Sequence, residues 1–177
     1  MITATINVIR LFIKSMLNRQ CSISLRQRLS LSTKIVISSN GIINIKKGLH
    51  TKRNVTLQSD GGYLEIGESV FLNEACIVVS REKITIGNNC SIGPNVMIYD
   101  HDHNYKNSRS GYLTGRISIA NNCWIGANSI ILRGSRIGNN CVITAGSIVN
   151  GVLEDNTLFY QRRESIRKSI SSETADE

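Results

Sequence analysis

From Ile119 onward an aliphatic residue recurs every six positions: Ile119, Ile125, Ile131, Ile137, Ile143 and Val149. The same step gives Ile86, Ile92 and Ile98 upstream, then Leu64, Val70 and Cys76, and a fainter series Ile37, Ile43, Leu49 and Val55. Glycine follows the aliphatic residue at 87, 93, 126 and 138, and the residue four places after it is small: Cys90, Val96, Cys123, Ser129, Ser135, Cys141 and Ser147. A period of six fits neither a helix nor an alternating strand. It predicts a solenoid in which a short strand and a bend together use six residues, three such units closing a triangular coil of about 18. Each coil buries its aliphatic residues only by stacking on its neighbours.

Three phase slips interrupt the repeat. The first contains "SDGG" (59–62), a turn signal, and the second "SREK" (80–83). The third, between Ile98 and Ile119, contains "YDHDHNYKNSRSGYLTGRIS". A long polar excursion from a regular solenoid predicts a functional loop, here placed at 100–118.

Ahead of the repeat, Ile2, Ile6, Ile9, Ile13, Met16 and Leu17 share one face of a predicted helix, with Arg10 and Lys14 elsewhere. That helix either caps the end of the solenoid or lies in a membrane interface. Its apolar run is too short and too charged to span a bilayer. The predicted divisions are an amphipathic helix and basic segment (1–34), the solenoid (35–160), and a basic segment with an acidic tail (161–177).

Charge adds a direction to this picture. The net charge is +8, ten of the 21 Lys and Arg lie before residue 54, and the first acidic residue is Asp60. So one-sided a charge suits an anionic membrane surface or a polyanionic ligand. Nucleic acid is not expected, because no recognition motif or aromatic interleaving accompanies the charge.

Five cysteines stand at 21, 76, 90, 123 and 141, an odd number with no C-x-x-C pair. Together with the absence of a cleavable signal, this predicts free thiols and a cytoplasmic setting. Cys90, Cys123 and Cys141 share their slot with serines and are expected to be buried space-fillers. Cys76 is expected in the core, and Cys21 lies outside the repeat.

Candidate chemistry collects at the start of the long loop. His101 and His103 sit in "DHDH", and His50 is the remaining histidine. In an extended strand the two imidazoles point one way, and Asp100 and Asp102 the other. An imidazole titrates near neutrality and can take a proton from an alcohol or amine. H-x-H is also a metal pair, but a closed zinc site needs four ligands. Solvated loop histidines with no role are the third reading.

The repeat, the run "WIGANSIILRGSRIGNNCVITAGSIV" and the histidine loop together resemble the hexapeptide-repeat acyltransferases from about residue 35 to 159. "IGPNVMIYDHDH" before a loop and "WIGAN" after it look most like the maltose, galactoside and surface-polysaccharide O-acetyltransferases. The resemblance implies an all-β left-handed parallel β-helix, an exception to the right-handed crossover rule. It implies a homotrimer, with acetyl-CoA and a sugar or glycolipid acceptor meeting between subunits, and no metal requirement. An ungapped count from Ile98 places the family's general base at His103, with His101 as its neighbour. Asn73 in "VFLNEA" matches the asparagine that holds the acceptor, and Asp100 and Asp102 are carried as substrate-binding candidates. Ala127 and Ala145 match positions lining the pantetheine channel, Trp124 belongs to the same motif, and Gly126 and Ser147 are structural.

The C-terminal motif departs from the family. "VNGVLED" and "YQRRES" replace the usual sequences, and Gly151 stands where a lysine commonly helps with CoA. Arg162, Arg163, Arg167 or Lys168 are the substitute phosphate contacts. The expected function is O-acetylation of a surface polysaccharide or its lipid-linked precursor at the inner face of the membrane. The alternatives are N-acetylation of a nucleotide sugar, acetylation of an antibiotic hydroxyl, a zinc hydratase of carbonic anhydrase type, and a non-catalytic scaffold.

Overall fold

A computed structural model describes residues 20–24, 26–106, 111–162 and 167. The helix expected at the N-terminus, the tail and Arg163 lie outside the described residues.

The chain winds as a left-handed parallel β-helix with three flat faces. The first face stacks Cys21–Ile23, Ile42–Ile45, Tyr63–Ile66, Lys83–Ile86, Ile117–Ile119, Arg136–Ile137 and Val152–Leu153. The second stacks His50–Thr51, Phe71–Leu72, Ser91–Ile92, Trp124–Ile125, Val142–Ile143 and Leu158–Phe159. The third stacks Lys34–Ser38, Thr56–Asp60, Ile77–Ser80, Met97–Tyr99, Ile130–Ile131 and Ile148–Val149. Neighbouring strands within each face are parallel, so every coil hydrogen-bonds to the one above and below. Pairing reaches back to Cys21, which faces Ile43, so the solenoid starts before residue 35. Ile23, Leu29 and Ile35 are six apart and buried, in the columns of Ile45, Thr51 and Leu57, so the six-residue step extends to this first strand. Cys21 itself is buried there.

The core is a set of aliphatic columns running up the axis. Ile66, Ile86, Ile119 and Ile137 form one. Leu72, Ile92, Ile125 and Ile143 form another, and Val78, Ile98, Ile131 and Val149 a third. All are at most 2% exposed, so truncating one, as in Ile98→Ala, costs about 2–5 kcal/mol by lost burial plus cavity.

The register corrects the upstream series. Val70 and Cys76 stand in the corner slot of Cys90 and Val96, two residues before the strand column that holds Leu72 and Val78. Leu49 and Val55 are likewise corner residues. Both slots are buried, so where both are aliphatic a period of six occurs twice and hydrophobicity alone leaves the phase open.

The recurring "NNC" has a physical basis at each of its three positions. The first asparagine reaches down the edge: Asn121 Oδ1 accepts from the Asn88 amide at 2.8 Å, and Asn139 Oδ1 accepts from the Asn121 amide at 3.2 Å. The second takes the left-handed backbone, with φ of 56° at Asn89, 59° at Asn122 and 57° at Asn140, which asparagine tolerates. The cysteine then fills the corner, donating to a carbonyl of the next coil: Cys90 to Ala120 at 3.1 Å, Cys123 to Gly138 at 3.0 Å, Cys141 to Glu154 at 3.1 Å. All five cysteines are buried.

The three slips fall on one edge, between the third and first faces. Ile119 pairs with Ile137, eighteen residues on, whereas Ile84 pairs with Ile117, thirty-three residues on. The surplus leaves at this edge as a hairpin, His101–His103 antiparallel to Tyr112–Thr114.

Candidate active site

The site is built on the edge from which the hairpin leaves. A buried polar column runs up its inside: Ser59, Ser80 and Asp100, each 0% exposed. Asp100 accepts from the Ser80 hydroxyl at 2.9 Å, the Arg81 amide at 2.7 Å and the Glu82 amide at 2.9 Å. A carboxylate so enclosed is offset by its donors, and it ties the hairpin to the coil below.

His101 follows. Its Nδ1 lies 3.3 Å from Asp100 Oδ1, so in the tautomer that donates to the carboxylate Nε2 is the open nitrogen. The ring meets Tyr99 and Tyr112 edge-on, with centroids at 5.9 and 5.3 Å. His103 is exposed and tilts against the same Tyr112 ring at 4.6 Å. Both imidazoles therefore share one side of the hairpin, as the strand alternation predicts. Asp102 is exposed and pairs with Arg133, Nε to Oδ2, at 2.6 Å.

Asp100 requires a correction. With its oxygens occupied by Ser80, Arg81, Glu82 and His101 and no exposure, it has no surface to offer an acceptor. It is a positioning residue for His101. Asp102 is accessible but engaged by Arg133.

Three residues that sequence reasoning missed complete the edge. The Arg81 guanidinium lies 3.6 Å from the centre of the Tyr112 ring and pairs with Asp60. Asp60 in turn accepts from Ser38 at 2.9 Å and Ser39 at 2.6 Å. The Ser39 and Ser38 hydroxyls, with the charges of Arg81 and His101, hold the Asp60 carboxyl below the usual carboxylate range. The available signal was the coincidence of the slips: "SDGG", "SREK" and the long loop stack on one edge.

The other candidates stand elsewhere on the prism. Trp124 is 57% exposed on the second face. Ala127 and Ala145 stack on the edge between the second and third faces, where the Gly146 amide donates to the Ala127 carbonyl at 2.7 Å. Gly126 permits that contact, since a Cβ there would come within 3 Å of the Ala145 backbone. Asn73 lies on this same edge two coils lower, with Oδ1 accepting from the Glu74 amide at 2.8 Å. Arg162 is exposed beyond the last strand. His50 lies on the second face against Phe71, with ring centroids at 5.1 Å. Within one chain, then, His101 and His103 occupy one edge, and Asn73, Ala127 and Ala145 another.

Residues 116–151 match the family model described as bacterial transferase hexapeptide (six repeats). Over that stretch the chain is similar to the hexapeptide-repeat transferases. It is 28% identical over 151 residues, 78% of this chain and 77% of the other, to a protein named for lipopolysaccharide biosynthesis O-acetyl transfer in Escherichia coli strain K12. A hexapeptide-repeat acetyltransferase from Vibrio cholerae O1 biovar eltor, solved with acetyl coenzyme A, is 31% identical with a TM-score of 0.51 over 53% of each chain. A maltose O-acetyltransferase from Clostridium difficile 630 is 26% identical with a TM-score of 0.55, over 88% of this chain and 80% of that one.

Proposed function

We propose that the protein transfers acetyl from acetyl-CoA to a sugar hydroxyl. The observation that carries this is the convergence of His101, His103, Tyr112 and the buried Asp100 carboxylate on one edge of a hexapeptide solenoid. His103 takes the acceptor proton. It is the exposed imidazole, at the family's motif position. As the hydroxyl O–H bond breaks, its oxygen forms a bond to the thioester carbonyl carbon, and the intermediate collapses with loss of the C–S bond. The proton on the imidazole passes to the departing thiolate. No acyl-enzyme forms, and no cysteine takes part.

One observation favours a second reading in which His101 is the base: the carboxylate contact at its Nδ1 leaves Nε2 as the acceptor. Under the first reading His101 orients the acceptor beside His103.

The active unit is a homotrimer. Supporting this, the histidine edge and the Asn73–Ala127–Ala145 edge are separate in one chain, and a threefold axis sets one against the other between neighbours. Acetyl-CoA lies along Ala127 and Ala145, with Trp124 beside it and Arg162 toward its phosphates, and Asn73 holds the acceptor. The acceptor belongs to a surface polysaccharide or its lipid-linked precursor at the cytoplasmic face of the membrane. The basic N-terminal coils support an anionic, membrane-adjacent acceptor.

The test is a thiol-release assay with acetyl-CoA and a panel of free sugars, sugar phosphates and lipid-linked sugars, with mass spectrometry of the product. Acetylation on oxygen is expected. Transfer to an amine, or hydrolysis of acetyl-CoA alone, overturns the reading.

A further inference from the structure

The lower end of the second face carries a basic pocket of about 400 Å³, lined by Arg26, Gln27, Arg28, Gly48 and His50. Its floor is fixed. Gln27 is buried, its Nε2 donating to the Lys46 carbonyl at 2.8 Å and its Oε1 accepting from the Leu49 amide at 2.6 Å. Arg28 and His50 lie on adjacent coils in a parallel bridge.

The charge here is uncompensated where the neighbouring charge is not. Lys46 pairs with Glu65, Lys47 with Glu68 and Arg53 with Glu74, each carboxylate one coil up. Among the described residues, no carboxylate pairs with Arg26, Arg28 or Lys52. Burial, then the charges of Lys52 and Arg28, push the His50 imidazole below its ordinary range, an independent sign of positive potential. Two arginines on a rigid floor suit a phosphate, whose oxygens a guanidinium meets in pairs.

The position links this pocket to the acceptor. Arg28, His50, Phe71, Ser91 and Trp124 follow one another up the second face in register. Asn73 is two residues past Phe71, and Lys52 lies one coil beneath it. With about 4.8 Å per coil, a sugar at Asn73 has Lys52 and then Arg28 some 5–10 Å below.

We infer that this pocket binds the phosphate or diphosphate of the acceptor, so the preferred substrate is a phosphate-linked sugar rather than a neutral one. The inference rests on the acetyl-transfer reading, and its test separates the two. Inorganic pyrophosphate is titrated into the full-length wild type and an Arg26→Gln/Arg28→Gln variant, with the His50 ring resonance as readout. Saturable binding that shifts His50 is expected, weakened at least tenfold in the variant; no binding, or equal binding in both, overturns the site. In the second arm, KM is compared for a sugar and its 1-phosphate. The double change should raise KM for the phosphate about tenfold more than for the neutral sugar; equal effects overturn the acceptor assignment. In the third arm, phosphatidylglycerol vesicles are added. Vesicle binding that displaces pyrophosphate and is lost in the variant assigns the pocket to lipid headgroups and overturns the acceptor role. Pyrophosphate binding without acetylation of any sugar sinks the acetyl-transfer reading and leaves the phosphate site standing.

Discussion

Asp100, with no exposed surface, lies 3.3 Å from His101 Nδ1 while accepting the backbone amides of Arg81 and Glu82. One carboxylate thus joins the rigid coil below to the imidazole on the hairpin. Its substitution should act on geometry as well as on proton transfer.

The first prediction separates the two histidines. Loss of a general base costs about 10²–10⁴ in rate. His103→Ala should lose this much in kcat with CoA affinity nearly unchanged, and the rising limb of the pH profile should vanish. His101→Ala and Asp100→Asn should lose less and keep that limb. If the limb instead disappears in His101→Ala and survives in His103→Ala, the carboxylate-held imidazole is the base. Full activity in both single variants means the hairpin is not the site.

Asp60 gives a pH dependence for stability. Ser39 and Ser38 donate to it, and Arg81 and His101 add favourable charge, so its pKa is lower folded than unfolded. The unfolded chain binds the proton at higher pH, so this contribution is present above about pH 4 and is lost as pH falls through the folded value. Asp60→Asn should lower Tm at pH 7, with the difference from wild type shrinking below about pH 4. A difference constant from pH 7 down to 3 would remove Asp60 as the titrating group.

Burial should keep the cysteines chemically quiet: all five are at most 4% exposed, including Cys90, whose thiol pKa is lowered by its hydrogen bond with Cys123. Burial pushes the Cys76 thiol up to about 11 and that of Cys141 upward as well, so neither is a thiolate at neutral pH. An aromatic disulfide reagent should find no fast-reacting thiol at pH 7.5 and five after denaturation. Single Cys→Ser changes at 90, 123 or 141 should leave turnover within a few-fold, since Ser129 and Ser147 fill equivalent corners and the cost is about a kcal/mol or less. A folded Cys→Ser variant without activity would contradict the corner assignment.

The coil and its strict repeat were legible because each residue of "IGNNC" answers a local demand of stacking: column, close approach, side-chain ladder, left-handed turn and corner. The phase up to Cys76 was not, because corner and column are both buried and mostly aliphatic there and the six-residue step fits either. The site was half legible. "DHDH" is contiguous and chemically loud, but Asp60, Arg81 and Tyr112 belong to three coils, and only the register brings them to one ring. The burial of Asp100 follows the alternation of Ile98 and Tyr99 ahead of it, but its donors Ser80, Arg81 and Glu82 come from the coil below, which only the register reveals.

The last prediction tests whether the site is shared between subunits. His103 stands on the edge between the third and first faces, and Ala145 on the edge between the second and third. If transfer occurs within one chain, a protein lacking the base and a protein with a blocked CoA channel are both dead, and mixing them restores nothing. If it occurs between neighbours, a mixed trimer contains interfaces where one subunit supplies an intact His103 and the next an intact Ala145. Ala145→Trp is a suitable block, because Ala145 is exposed and a large ring there fills the channel without entering the core. After random reassembly of equal amounts of His103→Ala and Ala145→Trp, half the subunits carry each intact edge, so about a quarter of the interfaces are complete. Activity should therefore return to about a quarter of wild type from two nearly inactive parents. The mixture must be assembled from dissociated chains, and light scattering should give the trimer mass before and after. A mixture as inactive as its parents, at the mass of a trimer, would place the whole reaction within a single chain.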